Sequence, residues 1–403
     1  MSFVINTNVS SLNAQNNLDK SRSMLAQATQ RLSSGLKINS AADNAAGFAI
    51  SQRYTTQIGG LAQASANASD AINLAQTAGS ALDQVTSNLQ AIRDLAAQAA
   101  NGTYSSADRQ TIDQEVQQRL AEITRVGNQT TFNGRKVLDG SLGTQSFQVG
   151  SDVGQTISVS LSSDMRSSAL GQISELNTGN LDNAFKDASG NAVTMNLSKI
   201  QIVGSDGSTT TLSGTASNVQ QFADAVNAAS IPGVSAAVDG KGGVSFYSTG
   251  ALTITDSGSF AATSVFATQA TPQTSVVGNS YANGSTTAAN NDSKSIAVNG
   301  YLDSGNVLTV DSANALMSRV DVALKSVSDF AAQLGAVQNR FQSTISTLAA
   351  QSTNLQASQS TIQDANFAAE TANLSKAQVL QQAGISVLAQ ANSQPQQILK
   401  LLQ

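Results

Sequence analysis

The sequence predicts a mainly α-helical protein with a β-rich insert: a long helical coiled-coil rod built from both chain ends, a β-hairpin, and a small solvent-facing β/α middle domain. Three observations predict it. Leu, Ile, Val and Ala recur at heptad spacing from the start to about Asn128. The same period returns in the C-terminal third. Between them, from about Asn177 to Leu308, Gly, Ser, Thr, Asn and Asp dominate and helical periodicity survives only at Val219, Phe222, Ala223 and Val226.

In the N-terminal part, Leu18, Leu25 and Leu32 are seven residues apart. A second run places Leu61, Ala68, Ala75, Leu82, Leu89 and Ala96 at one heptad position. Ala64, Ala71, Ala78, Val85, Ile92 and Ala99 each follow three residues later, which is an a/d seam. Such an Ala-rich seam lets partner helices approach closely. A hairpin follows: Phe147 with Val149, and Ile157, Val159 and Leu161, bracket the turn residues Gly150 to Gly154.

In the middle, the short alternating runs Val244, Phe246 and Leu252, Ile254 lie between turn residues including Asp239-Gly240 and Asp256-Ser257-Gly258. A small inserted β-rich domain is expected there. Toward the C-terminus, Val320, Val327, Leu334, Phe341, Leu348, Leu355 and Ile362 share one heptad position, supported by Leu324, Phe330, Val337 and Ile345. The spacing predicts one helix of about 43 residues, roughly 65 Å long at about 1.5 Å per residue. A stripe of that length must pack on the N-terminal helices, on other subunits, or on both.

Composition narrows function. Charged residues are 12% of the chain, about half the usual share, and aromatics 4%. There is no His and no Cys among the 403 residues, so the commonest general base and metal ligand and all thiolate chemistry are missing. A net charge of −5, with Lys and Arg scattered singly, argues against nucleic acid or an anionic membrane as partner. No stretch approaches the roughly 18 apolar residues of a membrane helix. The N-terminus has no basic region, long apolar run or small-residue cleavage site of a Sec signal peptide.

Six segments carry a resemblance. Ser11 to Leu18, Arg31-Leu-Ser-Ser-Gly-Leu-Lys-Ile-Asn39 and Ala42 to Ser51 resemble the N-terminal signature of bacterial flagellins, the subunits of the flagellar filament. Phe132-Asn-Gly-Arg-Lys-Val-Leu138 is similar to the family where its helices give way to the hairpin. Leu334 to Phe341 and Ala377 to Asn392 resemble the C-terminal signature. The resemblance covers about residues 1–175 and 310–403. In the middle, Phe222 to Ser230 followed by Val234 to Val238 is similar to a helix-then-hairpin module found as an insert in flagellins and hook-associated proteins.

The resemblance implies an architecture that agrees with the periodicity. Residues 1–43 and 361–403 would form the two halves of a coiled coil at the filament core. Residues 44–176 and 309–360 would form a helical spoke with the hairpin, and 177–308 the variable outer domain. Leu18, Leu25, Leu32, Leu374, Val379, Leu380, Ile385, Val387, Leu388, Ile398, Leu399 and Leu402 are assigned to the filament-core seam. Leu61, Leu82, Leu89, Ile92, Val320, Val327, Leu334, Phe341, Leu348 and Leu355 are assigned to packing of the spoke helices. A non-closing head-to-tail contact generates a helical filament. The ends are expected to be largely disordered in the monomer and to order on polymerisation, at a cost of about 1–2 kcal/mol per residue that burial must offset.

As partners the resemblance implies copies of the chain itself, a flagellar secretion chaperone at the C-terminal end around Leu374 to Leu402, and the cap and hook-associated proteins. It implies export as an unfolded chain through the flagellar type III apparatus to an extracellular flagellum, with no cofactor. Gln90, Ala91, Arg93, Leu95 and Glu115 resemble the surface bound by the vertebrate Toll-like flagellin receptor, where strongly stimulatory members carry Arg in place of Ala91. The alternative for Arg93 and Glu115 is a solvated helix face.

Enzymatic readings find no support. Gly240-Lys241-Gly242-Gly243 offers no Gly-Lys-Ser/Thr phosphate loop, and the zinc peptidase of a few flagellins needs His. Asp182 and Asp187 lie in polar loops with nothing to raise a pKa. Ser285, Thr286 and Thr287 are open to O-glycosylation as in some relatives. The alternative within the assembly class is a hook-filament junction protein, which usually matches less densely at Phe132 to Leu138 and Ala377 to Asn392. A surface adhesin or hydrolase would need a nucleophile, base and orienter that a chain without His or Cys does not assemble.

Overall fold

The computed structural model describes residues 8–178, 180–186, 191–239, 241–250, 252–256, 292–296 and 298–401; for 182, 183, 255, 256, 292–296, 298, 299 and 394–401 it describes the backbone alone. Leu402, Asp187, Gly240, Ser257, Gly258, Ser285, Thr286 and Thr287 therefore lie outside the described residues, as do the side chains of Asp182, Ile398 and Leu399. Helices α1 (Val9–Ser34), α2 (Ala45–Ala99) and α3 (Ser106–Gln129) lead into the strands, α4 (Val219–Ala228) lies among them, and α5 (Val310–Gln363) and α6 (Phe367–Leu401) follow. The chain divides into two compact units, one of Met1–Ser69, Phe147–Ile157 and Phe341–Gln403, the other of Asp70–Ser146 and Ser158–Arg340.

In the first unit α1 packs on α6. Leu61, Ala64 and Leu348 form a buried cluster with Leu355 half-buried against it. The Phe147 ring meets Phe341 edge-on, with centroids 5.7 Å apart and planes at 83°. Asn67 Nδ2 donates to the Gln148 carbonyl at 3.0 Å, and Gln359 Nε2 to Thr55 Oγ1 at 2.8 Å. The C-terminal stripe lies on a helix of 54 residues, longer than its periodicity predicts because the turn between Asn306 and Val310 caps it earlier.

In the second unit every position of the predicted α2 seam from Ala71 to Ala99 is buried, as are Val320, Val327, Phe330 and Leu334 on α5. Helix α3 breaks away after the Asn101-Gly102 turn. It starts on a capping box in which Ser105 and Asp108 satisfy each other's backbone N–H groups, and it buries Ile112, Val116, Leu120, Ile123 and Val126. Sequence periodicity ran through this break; the Ser105-x-x-Asp108 spacing was its signal.

Strands β1 (Thr131–Phe132) and β2 (Arg135–Lys136) form a small ribbon around Asn133-Gly134, whose φ values of +49° and +74° are those of an Asn-Gly hairpin turn. The predicted hairpin is β3 (Gly143–Gln148) with β4 (Thr156–Leu161), and Ile157, Val159 and Leu161 face inward in strict alternation. Among the described residues, ten further strands build the insert: β5 (Ile173–Asn177), β6 (Met195–Asn196), β7 (Ile200–Val203), β8 (Thr209–Thr211), β9 (Thr215–Ala216), β10 (Val234–Val238), β11 (Val244–Ser248), β12 (Leu252–Asp256), β13 (Asp292–Ile296) and β14 (Val298–Asn299).

They form two four-stranded antiparallel sheets, in the orders β10-β11-β5-β14 and β13-β12-β7-β8, and the two-stranded pair β6-β9. Helix α4 buries Val219, Phe222, Ala223 and Val226 in their common core, where Phe222 meets Phe246 edge-on at 5.9 Å. Where this sheet meets α5, Arg319 is buried, donates to the Tyr301 carbonyl at 2.7 Å and lies 3.9 Å from Glu175. Tyr247 donates its hydroxyl to Asp311 at 2.7 Å. Burial, then the nearby Asp311 charge, pushes the Glu175 carboxyl above its ordinary range, against the pull of Arg319.

A candidate assembly surface on the terminal helices

Helix α1 begins on an Asn8 cap that accepts from the Ser11 backbone. Its buried residues are Ser11, Ala14, Leu18, Ser21 and Ala28, with Leu25 and Leu32 half-buried. These positions alternate in steps of three and four, a full heptad seam of which only the Leu positions stand out in the sequence. Helix α6 answers with Glu370, Leu374, Ala377, Gln381, Gly384, Leu388 and Ala391 in the same alternation, all buried or half-buried.

Four contacts mark an antiparallel register between them. Asn8 Nδ2 donates to the Ala391 carbonyl and Ser11 Oγ to Asn392 Oδ1, each at 2.8 Å. Leu18 packs on Gly384, where a Cβ would sit 3.4 Å from its Cδ1. Arg31 Nη1 donates to Glu370 Oε1 at 3.1 Å. Extending this register by heptads puts Ala14 opposite Leu388, Leu25 opposite Ala377 and Ala28 opposite Leu374, so each large residue meets a small one.

Both helices break at one level, and the breaks are tied together. Gly35 ends α1 with φ +72°, a left-handed conformation that favours glycine, and its N–H closes on the Arg31 carbonyl at 2.9 Å. Lys37 N–H donates to the Gln363 carbonyl at 2.6 Å, and Ala365 N–H to the Gly35 carbonyl at 2.9 Å. Asp43 gathers the N–H groups of Asn39 and Ser40, which hold its carboxyl below the usual range, the Ser40 bond foremost. The Arg31-to-Asn39 segment is thus a turn built to pin the α1–α2 break to the α5–α6 break.

Away from the seam the terminal helices leave apolar residues open. Phe367 is 58% exposed, Val379 64%, Ile385 51%, Val387 56% and Leu380 40%; on α1, Val9, Leu12 and Met24 are exposed as well. At about 100° per residue, Phe367 and Ile385 fall on one flank of the α6 seam, Leu380 and Val387 on the other, and Val379 on its back. Apolar residues on more than one face of a helix, outside the seam it already closes, mark it for contact with more than one partner. Of the predicted core residues, then, Leu18, Leu25, Leu32, Leu374 and Leu388 lie on the seam within the chain, and Val379, Leu380, Ile385 and Val387 lie outside it. Arg31, Glu370, Ser11, Asn392 and the small seam residues escaped sequence reasoning because an apolar count skips them.

The residues predicted for spoke packing are buried: Leu61 and Leu348 in the first unit, and Leu82, Leu89, Ile92, Val320, Val327 and Leu334 in the second, with Phe341 at the start of the first unit's last segment. Leu355 is half-buried. In the predicted receptor patch Gln90 is exposed and Ala91 and Leu95 are half-buried. Arg93 is paired with Asp321 at 2.6 Å and Glu115 with Arg119 at 2.7 Å; Arg93, Asp321 and Glu115 are exposed and Arg119 is half-buried. Among the described residues no group of three metal-ligating side chains comes together, and no helix is long and apolar enough to cross a membrane.

Residues 5–142 match the family described as bacterial flagellin N-terminal helical region, and residues 317–402 match the bacterial flagellin C-terminal helical region. The B-type flagellin of Pseudomonas aeruginosa is 37% identical over an alignment of 490 residues covering all of both chains. The flagellin of Salmonella typhimurium strain LT2 is 36% identical, again over the full length of both. Among solved structures, FliC from Burkholderia pseudomallei is similar at 27% identity over 67% of this chain and 99% of its own, with a TM-score of 0.38.

Proposed function

This chain belongs to the bacterial flagellins, structural proteins and not enzymes, and from that premise we propose that its terminal helix pair is the element through which it polymerises. The chain is a subunit of the flagellar filament, a polymer of copies of itself. The junction-protein alternative is set aside because the relatives matched over their whole lengths at 36–37% identity are flagellins.

The observation that carries the proposal is the open apolar surface of α6. Val379, Ile385 and Val387 are each more than half exposed in the single chain. Burying such a side chain is worth about 1.5–3 kcal/mol, and in a filament neighbouring copies offer that burial around a helix already seated on α1. Residues 1–43 and 361–403 then act as the filament core, 44–176 with 309–360 as the spoke, and 177–308 as the outer domain. The ends order as they assemble, and the outer domain faces solvent on an extracellular filament.

The remaining partners follow the same logic. A secretion chaperone would cover the α6 surface before export, and the cap and hook-associated proteins would meet the terminal pair at the ends of the polymer. The Gln90, Arg93, Leu95 and Glu115 patch is proposed as the receptor-facing surface. Two of its charges are engaged with Asp321 and Arg119, and Ala91 supplies no anchor of the kind Arg makes.

Elongation of filament seeds tests the proposal. The triple substitution Val379→Ser, Ile385→Ser and Val387→Ser removes three burial contributions while sparing the seam. Elongation is expected to fall by about tenfold or more with the monomer's circular dichroism unchanged. Elongation at the parent rate would refute the assignment.

A further inference from the structure

We propose that Arg31 and Glu370 are the charged lock on the register in which the two chain ends pair, acting beside the Asn8 and Ser11 hydrogen bonds and the backbone ties at Lys37 and Ala365, and that the apolar residues of the seam are not. The inference deepens the assembly reading above and rests on it. The seam alternates large against small: Leu18 faces Gly384, and by extension Leu25 faces Ala377. Slide α6 by one heptad and Leu18 faces Ala391, Leu25 faces Gly384 and Leu32 faces Ala377, so large still meets small. Apolar packing therefore discriminates poorly between two registers about 10.5 Å apart along the helix axis.

The charge pair discriminates strongly. Arg31 and Glu370 are the charged side chains at the seam, with 23% and 10% of their side-chain surface exposed, and they meet at 3.1 Å. Asn373 Nδ2 lies 3.5 Å from the other carboxylate oxygen. A one-heptad slip separates the two and leaves each partly desolvated without its partner, a state that costs far more than the intact pair gains.

The pair is also imperfect as a source of stability, since Arg31 Nε is buried with no acceptor. A polar group placed in an apolar seam at some cost in stability is the means by which coiled coils specify register. Correct register matters because the surface offered to a neighbouring copy is a composite of α1 and α6. A slipped pair would carry Val9, Leu12 and Met24 to the wrong height beside Ile385 and Val387.

Because the chain has no Cys, an introduced pair reports register cleanly. Ser21→Cys with Gln381→Cys reports the observed register, and Ser21→Cys with Leu388→Cys the one-heptad slip, which lies beyond disulfide reach in the other. Each is oxidised in seed-grown filaments, where the ends are paired, and the intramolecular product is read by mass. In the parent background the first pair is expected to exceed the second by about tenfold or more. Glu370→Ala should bring the two toward parity, and Arg31→Glu with Glu370→Arg should restore the preference.

An unchanged ratio in Glu370→Ala, or a charge swap that restores nothing, overturns the proposal. If Glu370→Ala abolishes both products, recovery in the swap supports the lock and its absence refutes it. Failure of the assembly reading would show separately, as normal elongation by the Ser variants of α6, with the ratio in seed-grown filaments still reporting on the lock.

Discussion

Glu175 shows how one residue carries two opposed demands. Its carboxylate stands 3.9 Å from Arg319, yet burial and the Asp311 charge push its pKa up. Its folded pKa is thus raised above the unfolded one, so the folded chain takes up this proton at higher pH than the unfolded chain does. The contribution to stability grows as pH falls through the raised value and is complete below the unfolded pKa. Glu175→Gln removes that component. The unfolding free energy of the parent minus that of the variant should therefore increase from pH 7 to pH 4.5, read by denaturant titration at each pH; a constant difference would contradict the assignment. Arg93 makes the contrasting case. Its bond to Asp321 is about half exposed on both sides, and such surface pairs contribute about 0–1 kcal/mol. Arg93→Ala is expected to leave thermal unfolding nearly unchanged, so any large loss of receptor signalling in that variant would report on the surface and not on folding.

At the scale of elements, α2 and α6 explain what could be read from sequence and what could not. Every α2 seam position from Leu61 to Ala99 is buried, and all of them are Leu, Ile, Val or Ala, so the apolar period is the packing period. Their small side chains leave no room for more. Ala75→Leu is expected to cost about 1–3 kcal/mol by overpacking, and Leu89→Ala about 2–5 kcal/mol through the cavity it leaves, both measurable by chemical denaturation. The α6 seam has the same 3-4 spacing but is written in Glu370, Gln381 and Gly384 as well as Leu374 and Ala377. Its apolar residues spread around the helix, so counting them finds Val379 and Ile385, which lie off the seam, and misses Glu370 and Gly384, which form it. The hairpin was legible from the alternation at Ile157, Val159 and Leu161. The strand order of the insert was not, because β5 pairs with β11 and β14 across long stretches of chain, and no local pattern encodes such partners.

For the whole molecule, most of the exposed large apolar residues among those described lie on the two chain ends. Elsewhere among the described residues Val153, Val193, Tyr301 and Leu308 are exposed, whereas the terminal pair closes one seam and leaves the remainder of α6 open. Low charge and the absence of His fit a chain whose partners are copies of itself and whose chemistry is packing. The most direct test follows α6 from the free chain into the filament. Ile385→Cys gives a chain with a single thiol at a position 51% exposed in the subunit. Maleimide labelling should be rapid in the monomer and slower by about tenfold or more in seed-grown filaments, since burial by neighbouring copies removes access to the thiolate. Equal labelling rates in monomer and filament would show that no neighbouring copy covers α6, and would contradict the terminal pair as the assembly element.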